Sequence, residues 1–346
     1  MLRTLLRRFA LLSLVQAMPL AYAQADEVAD FYRGRNINIV AGHEVGTGFD
    51  FYGRALARHI GRHIPGNPTV VSQNMVGAVG IVAANWLYNL APKDGTSIVI
   101  FAHTVPLEPI LGQGAGKFDP RRFNWIGNMD ESVGVCGVWH TAGVNAFAEL
   151  QNREILVGAS GSGAAGPLSV SPIALKNILG ARLKVIQGYK GSTEIKLALA
   201  RGEVQGICGL PLSTLKAEWK DHWEKREFIP LLQLSRTPHT DLAPAPHIFD
   251  LARNADERQV LDLIFGVQAM GRPFAAAPGT PPERTAALRS AFMATMRDPA
   301  FLAEATKINL DLKPLSGEQL AALLEQFLAA PPAIVERARA AIKPAP

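Results

Sequence analysis

The 346-residue sequence lacks the motifs on which common kinds of catalysis depend. His59 and His63 are four residues apart, but the acid of an H-E-x-x-H zinc motif is absent and no Cys/His/Asp cluster adds further ligands. Residues 158–162 read G-A-S-G-S, with serine where the G-x-S-x-G motif of serine hydrolases ends in glycine. No paired carboxylates indicate glycoside hydrolysis. We therefore predict that the protein is not an enzyme and needs no metal or cofactor.

Long hydrophobic runs are also missing. No segment after residue 23 reaches about 18 uninterrupted apolar residues, the length that spans a bilayer as a helix. The N-terminus instead has a basic start, Met1 to Arg8, a short apolar run, Phe9 to Val15, and the small-x-small pattern Ala21-Tyr-Ala23. This order is typical of a cleavable secretory signal peptide, so we predict that residues 1–23 are removed and that the mature protein is periplasmic.

The net positive charge is small once that segment is removed. It carries Arg3, Arg7 and Arg8 and no acid, so its removal lowers the formal net charge from +5 to +2. No patch dense in lysine and arginine with interleaved aromatic residues remains, and we predict no nucleic-acid partner.

Cysteine is nearly absent: Cys136 and Cys208 are the only two. A lone pair in an oxidising compartment is compatible with one disulfide. Each cysteine also lies in a short apolar run, so two buried free thiols are the alternative.

What the sequence does contain is a regular alternation of strand-like and helical segments, which predicts an α/β fold with largely parallel sheets. The chain is longer than one core usually serves, and the pattern restarts once. The first unit has predicted strands at 37–41, 69–73 and 97–101 and helices at 50–64 and 77–90. The second has strands at 133–139, 154–159, 183–188, 206–210 and 229–234 and helices at 168–179 and 193–201. Residues 265–276 are predicted to be extended, and helices at 281–296, 316–329 and 332–341 to pack on the first unit.

Two glycine-bearing loops stand between a strand and a helix in the first unit, Gly46-Thr-Gly-Phe-Asp50 and Gly77-Ala-Val-Gly80. Free N–H groups at a helix N-terminus favour an anion, and glycine permits its close approach. Ligands of open α/β sheets bind beyond the carboxyl ends of the strands. Asp50 is expected to cap its helix, either as its whole role or beside a ligand. His43 and Glu44 could instead recognise a polar or cationic group.

The second unit repeats the pattern. Gly161-Ser-Gly-Ala-Ala-Gly166 has the G-x-G-x-x-G form, but no Asp or Glu occurs between Glu154 and Glu194, so a ribose partner is missing and dinucleotide binding is disfavoured. A carboxylate cradle formed by Ser160, Ser162 and the loop amides, or a plain tight turn, fits better. In Tyr189-Lys-Gly-Ser-Thr193, Ser192 or Thr193 is positioned to cap the following helix.

These segments, in this order and behind a signal peptide, resemble the extracytoplasmic solute receptors of tripartite tricarboxylate transporters, the TctC-like or Bug family. The motifs are the loop Gly46 to Asp50, the run Asn74-Met-Val-Gly-Ala-Val-Gly80, the run Ala91-Pro-Lys-Asp-Gly-Thr96, the Gly-Ser-Gly loop at 161–163, the segment Gly188-Tyr-Lys-Gly191, Arg201-Gly-Glu-Val204 and Leu242-Ala-Pro-Ala-Pro246. The run Ala41-Gly-His-Glu-Val-Gly-Thr47 departs from the pattern, because many relatives have a glycine pair and no acid there.

The resemblance implies a periplasmic binding protein-like fold, with two α/β lobes joined by crossing strands and a ligand cleft between them. We assign residues 24–131 plus 265–346 to lobe 1 and residues 132–264 to lobe 2. The implied function is capture of a small, carboxylate-bearing metabolite and its delivery to membrane permease subunits. The expected ligand-binding residues are His43, Gly46, Thr47, Gly48, Asp50, Gly77, Ala78, Gly80, His103 and Thr104 on one wall, and Ser160, Gly161, Ser162, Gly163, Tyr189, Gly191, Ser192 and Gly209 on the other. The alternatives are an exported enzyme that uses His43, Glu44 or Asp50 as acid or base, and a receptor that feeds a signalling partner.

Overall fold

The computed structural model describes residues 27–112, 114–160 and 166–343, and within them the chain forms two mixed β-sheets flanked by helices. The predicted signal peptide and Gly161, Ser162 and Gly163 lie outside these ranges. The first sheet contains β1 (Asn36–Ala41), β2 (Thr69–Asn74), β3 (Ser97–Ile100), β4 (Asn124–Asn128), β10 (Pro273–Ala276) and β11 (Leu315–Ser316). The second contains β5 (Gly134–Trp139), β6 (Ile155–Ser160), β7 (Leu183–Tyr189), β8 (Gly206–Pro211) and β9 (Phe228–Leu234). The predicted α/β fold class is confirmed.

The helices fall between the strands, as the alternating pattern predicts. The helices before β9 are α1 (Gly48–Ile60), α2 (Ile81–Asn89), α3 (Glu108–Leu111), α4 (Pro167–Leu179), α5 (Ser192–Ala200), α6 (Leu212–Glu218) and α7 (Lys220–Glu224). The helices after β9 are α8 (Ala255–Phe265), α9 (Pro282–Thr295), α10 (Pro299–Lys307), α11 (Gly317–Leu328) and α12 (Pro332–Ala341). No helix in the described ranges is both long and apolar enough to cross a membrane.

The order of strands in the first sheet is β11-β4-β10-β3-β1-β2. β1 is parallel to β2 and to β3, so the carboxyl ends of these three strands share one edge. β10 returns from a distant part of the chain and runs antiparallel between β3 and β4. The sheet is therefore mixed, which corrects the expectation of a largely parallel one.

The order in the second sheet is β7-β6-β8-β5-β9. β6 is parallel to β7 and β8, whereas β5 runs antiparallel to β8 and β9. The carboxyl ends of β6, β7 and β8 therefore lie at one edge, as in the first sheet.

Two crossings join the sheets. Residues 129–133 lead from β4 to β5, and residues 235–272, which include α8, lead from β9 back to β10. The prediction of an extended segment over 265–276 is wrong for its first half, because α8 ends at Phe265 and a 3₁₀ turn covers Gly266–Met270. A short apolar run fits a buried helix as well as a strand, and periodicity alone does not separate them.

One hydrophobic core runs through both sheets. It joins Val40 and Trp125 of the first sheet to Val157 of the second through Phe265 and Met270 of the crossing. A separate cluster covers the other face of the first sheet and contains Tyr52, Phe274 and Phe292. The two crossings are thus packed into the core.

The helices after β10 return to the first sheet, where α9 and α11 pack on β4. α12 differs, because it packs against α3 and α8 and also touches α4 beside the second sheet. His59 and His63 of the α1 region face α10, where their Nε2 atoms lie 2.6 Å from Glu304 Oε2 and 2.7 Å from Asp298 Oδ2. These hydrogen-bonding contacts attach α1 to α10. The boundaries of the two lobes stay a prediction.

Candidate functional site

The loops chosen from the sequence follow the parallel strands of both sheets. In the first sheet, residues 42–47 follow β1, residues 75–80 follow β2 and residues 101–104 follow β3. In the second sheet, Ser160 ends β6, Tyr189 ends β7 and Gly209 lies near the end of β8. The structure therefore brings the predicted residues that it describes in each wall to one sheet edge.

Asp50 holds the first loop in shape. It is the third residue of α1 and 1% exposed, and it accepts hydrogen bonds from the Gly46 N–H (3.0 Å), Arg54 Nε (2.8 Å) and Asn74 Nδ2 (2.9 Å). Burial raises the pKa of Asp50, but these hydrogen bonds outweigh it and the pKa lies below its usual value. The expectation that Asp50 caps α1 is wrong, since Thr47 is the residue at the cap and Asp50 instead bonds a loop N–H before the helix.

The start of α1 keeps its N–H groups open. Among the described residues, the N–H groups of Gly48, Phe49 and Asp50 make no hydrogen bond, as expected for a first helical turn without a side-chain cap. Gly48 also leaves room for a neighbour, because a Cβ atom there would lie 3.3 Å from the guanidinium of Arg272.

The loop after β2 is conformationally strained. Ala78, Val79 and Gly80 have φ angles of 45°, 57° and 98°, a left-handed run that a β-branched residue such as Val79 rarely adopts. The Gly77 carbonyl accepts hydrogen bonds from Gly80 N (3.0 Å) and Val82 N (3.4 Å), so the Gly80 N–H, which we expected to face a ligand, is already used. Val79 reaches the second wall, since a Cβ atom on Gly166 would lie 3.2 Å from its Cγ1.

Two histidines lie beside these loops with buried, unpartnered nitrogens. The ring of His43 stacks on Phe49 at 4.0 Å, and neither of its nitrogens has a hydrogen-bond partner within the described part of the chain. His103 is 3% exposed, and its Nδ1 has no partner. Burial and the nearby charge of Arg272 lower the pKa of His43 to about 3. Burial, Arg272 and then His43 lower the pKa of His103 to about 3 as well, so both rings are neutral at physiological pH.

Arg272 is the central charge of this region, and it was not among the predicted residues. It is 2% exposed and its guanidinium carbon lies 4.5 Å from the Phe49 ring centroid and 4.9 Å from that of Tyr52. It donates to the Gly271 carbonyl (3.0 Å) and, across to α6, weakly to Ser213 Oγ (3.4 Å), while Nε has no partner.

A sequence signal for this arginine does exist. Arg272 is the only charged residue in the apolar segment 265–276, and charged side chains inside such segments are rarely buried without a specific role.

Asp130 and Tyr52 complete the buried polar region. Tyr52 donates to the Asp311 carbonyl at 2.8 Å and lies 3.5 Å from Asp130 Oδ2. Burial raises the pKa of Asp130 to about 7, although Arg272 lowers it in part. Among the described residues Asp130 forms no ion pair within 4.0 Å, so Arg272 has no direct counter-ion.

The predicted residues of the second wall differ in their roles. Ser192 opens α5 after Gly191, so the start of that helix lies at the sheet edge. Tyr189 is partly buried and packs beside Gly158, where a Cβ atom would lie 3.4 Å from its ring. Gly209 has φ of 85°, and a Cβ atom there would lie 2.2 Å from the Pro167 carbonyl oxygen. Glycine is therefore required at 209 for α4 to pack on β8, which is a structural role.

Cys136 and Cys208 face each other on the neighbouring antiparallel strands β5 and β8. Their Cα atoms are 3.8 Å apart, and the structure joins their sulfur atoms in a disulfide. Both residues are buried in the core of the second sheet rather than at its ligand-facing edge.

No group of three or more His, Cys, Asp or Glu side chains in the described ranges is arranged to hold a metal ion. The residues of the site are thus one buried cation, two neutral histidines, the Asp130 carboxyl group with its raised pKa, hydroxyl groups and backbone N–H groups. Such a set suits a small anion better than a metal or a cation.

Comparison with solved structures gives neighbours that cover nearly the whole chain. The periplasmic binding protein BugD has a TM-score of 0.67 at 22% identity, with 90% of this chain and 98% of BugD covered. A TctC solute-binding protein from Polaromonas, solved without ligand, has a TM-score of 0.65 at 19% identity, with 90% and 99% covered. The chain has the fold of the TctC and Bug periplasmic binding proteins.

A Rhodopseudomonas palustris protein solved with adipate has a TM-score of 0.66 at 19% identity, with 89% of this chain and 97% of that protein covered. Among curated proteins, the UPF0065 protein in the gbd 5′ region of Cupriavidus necator is 23% identical over 342 residues, which is 97% of each chain. No protein-family model matches the chain. The resemblance and the two-lobe fold class predicted from the sequence are confirmed, and the structural neighbours are solute-binding proteins rather than enzymes.

Proposed function

We propose that the protein is a periplasmic solute-binding receptor that closes its two lobes around a small, carboxylate-bearing metabolite and delivers it to a tripartite tricarboxylate-type membrane transporter. The fold supports this proposal, because its solved neighbours include the TctC and BugD binding proteins and one relative that holds the dicarboxylate adipate. The two sheets present loops from the carboxyl ends of parallel strands, the usual position of a ligand in open α/β sheets.

The observation that carries the carboxylate assignment is Arg272. A guanidinium has five N–H donors and stays charged, and a buried charge without a counter-ion is strongly unfavourable. Among the residues that the structure describes, the guanidinium makes two hydrogen bonds and Nε has no partner. A ligand carboxylate beside it would supply the missing charge.

The neighbours of Arg272 favour the same ligand. Its guanidinium lies next to Gly48 at the start of α1, where N–H groups are open and the helix dipole is positive. Ser213, which it contacts at 3.4 Å, stands at the start of α6 on the second sheet. Arg272 is therefore in contact with both walls, and a carboxylate bound there would link them in the closed state.

We propose no catalytic step. Glu44 is exposed, and the Asp50 carboxylate is fully engaged by Gly46, Arg54 and Asn74. His43 has no acid or hydroxyl partner among the described residues that would orient it as a general base. A receptor that feeds a signalling protein would use the same site, and transport assays with permease subunits would separate the two roles.

The test is isothermal titration calorimetry on protein lacking residues 1–23 that has been denatured and refolded to strip carried-over ligand. Acids are compared with the amides of the same carbon skeleton, first on the unmodified protein. For the best acid, Arg272→Met should lower affinity about 10- to 100-fold, because a charge-assisted hydrogen bond contributes about 1.5–3 kcal/mol.

Arg121→Met is the matched control, since Arg121 is exposed and forms a surface ion pair with Glu325. It should leave affinity unchanged. Equal affinity of Arg272→Met and unmodified protein would contradict the assignment of the carboxylate to Arg272.

A further inference from the structure

A cavity of about 200 Å³ lies between the two sheets, next to the polar site. Ala78 of the strained loop and Thr104, which follows His103, form the wall on the side of the first sheet. Val170 of α4 closes it from the second sheet, and Ile264 of α8 comes from the crossing segment. Its position at the carboxyl ends of β2, β3 and β6 is that of a ligand site.

The lining of this cavity is almost wholly apolar. Apart from Thr104 and Glu108, its side chains are alanine, valine, leucine and isoleucine, with backbone from Gly112. A dry apolar cavity of about 150 Å³ is large enough for benzene, so about 200 Å³ admits a single aromatic ring or a branched chain of several carbons. Each buried methylene raises affinity roughly fourfold, whereas a hydroxyl or a charge without a partner lowers it.

The carboxylate of Glu108 limits the charge that a ligand can carry into the cavity. It is 7% exposed, and its carboxylate accepts hydrogen bonds from the backbone N–H groups of Ala115 (2.9 Å) and Gly116. No basic side chain in the described ranges forms an ion pair with it. A second carboxylate on the ligand would enter the cavity beside this acid and find no cation there.

We propose that the solute is a monocarboxylate with an apolar body, an aromatic or branched aliphatic acid, whose carbon skeleton fills this cavity. The ligand's carboxylate lies toward His103 and Arg272. This inference rests on the proposed function and narrows its ligand class. It sets the protein apart from the neighbour solved with the dicarboxylate adipate.

The experiment is a calorimetric series on refolded protein lacking residues 1–23, with phenylacetate and 4-methylpentanoate as apolar monocarboxylates and with adipate and succinate as dicarboxylates. At least one monocarboxylate should bind at least tenfold more tightly than either dicarboxylate. Tighter binding of a dicarboxylate would overturn the inference and leave the proposed function intact. Binding of none of these four acids would also overturn the inference. Equally tight binding of the corresponding amides would overturn the proposed function itself.

Two variants locate the ligand. Val170→Phe fills the cavity and should weaken binding of the preferred acid more than tenfold, whereas Leu302→Phe, on the exposed face of α10, should not change it. Unchanged binding by Val170→Phe would place the ligand body elsewhere.

A third variant, Glu108→Gln, tests the origin of the preference for monocarboxylates. It should raise the affinity for adipate and so reduce the ratio of monocarboxylate to dicarboxylate affinity. An unchanged ratio would show that Glu108 is not the cause of the preference. If Glu108→Gln does not fold, the series on the unmodified protein still decides the inference.

Discussion

The buried histidines make the stability of this protein depend on pH in a way that can be worked out from the structure. His43 and His103 each have a pKa of about 3 in the folded protein because burial and Arg272 disfavour the charged ring. In the unfolded chain each returns to about 6.5. Below that value the unfolded state binds more protons than the folded state, so the free energy of unfolding falls as the pH falls.

The size of the effect follows from proton linkage. Between about pH 7.5 and pH 5, each histidine should lower the free energy of unfolding by about 2 kcal/mol, or about 4 kcal/mol for the pair. Asp130 acts in the opposite direction, because its pKa of about 7 in the folded protein is above that of an unfolded aspartate. On acidification the folded state binds a proton at Asp130 before the unfolded state does, which raises the free energy of unfolding by about 2.5 kcal/mol over the same interval. The net loss in the unmodified protein is about 1.5 kcal/mol.

Urea denaturation at the two pH values measures these terms. Asp130→Asn removes the opposing group, so its loss of stability on acidification should rise to about 4 kcal/mol. The double variant His43→Gln with His103→Gln removes the two histidine contributions. Its free energy of unfolding should rise by about 2.5 kcal/mol on acidification instead of falling. The carboxylates whose pKa values lie below normal, such as Asp50 and Glu304, lose their contribution only nearer to pH 4 and cancel between variants.

His140→Gln is the control, because His140 is an exposed histidine. It should leave the difference between the two pH values as in the unmodified protein. A double histidine variant that still loses stability on acidification, by the same amount as the unmodified protein, would refute the reasoning, since it would mean that neither ring is held neutral by burial beside Arg272.

Two further predictions concern stability. The disulfide between Cys136 and Cys208 spans 72 residues, so its reduction should lower the free energy of unfolding by about 4 kcal/mol through chain entropy. Denaturation with and without reductant measures this, and two alkylatable thiols in the denatured, unreduced protein would show that no bridge forms. Asp50→Ala should lower the free energy of unfolding by about 3 kcal/mol, because it removes a buried carboxylate that accepts hydrogen bonds from the Gly46 N–H, Arg54 Nε and Asn74 Nδ2. Arg33→Ala, which removes an exposed ion pair with Asp30, should change it by less than about 1 kcal/mol, and equal losses in both variants would contradict the role given to Asp50.

The sequence predicts the local elements of this fold well, because they depend on neighbouring residues. Strand β1 and helix α12 form where the apolar period predicts them. Helices α3, α6, α7, α8 and α10 were not predicted. The segment after α8 was predicted to be extended because a short apolar run fits either type of element. The antiparallel position of β10 between β3 and β4 depends on contacts more than 140 residues apart in the chain, and no local pattern carries that information.

The candidate site shows the same limit. The glycine loops were found because a strand followed by glycine and a helix is a local pattern. Arg272 was missed because its partners Phe49, Tyr52 and Ser213 come from two other parts of the chain and meet it only in the folded protein. Asp50 was found, but its bonds to Arg54 and Asn74 give it a structural role that its position near the start of α1 does not indicate.

The central claim is that the two lobes bind a small carboxylate. The most direct test is a thermal-shift screen of refolded protein lacking residues 1–23 against carboxylates and the amides of the same skeletons. A ligand at about 100 times its Kd adds about 2.7 kcal/mol to the free energy of unfolding, which is a clear shift. The account predicts a saturable shift with one class of acids and none with the matched amides. A shift produced by neutral or cationic compounds, with none from any acid, would contradict it.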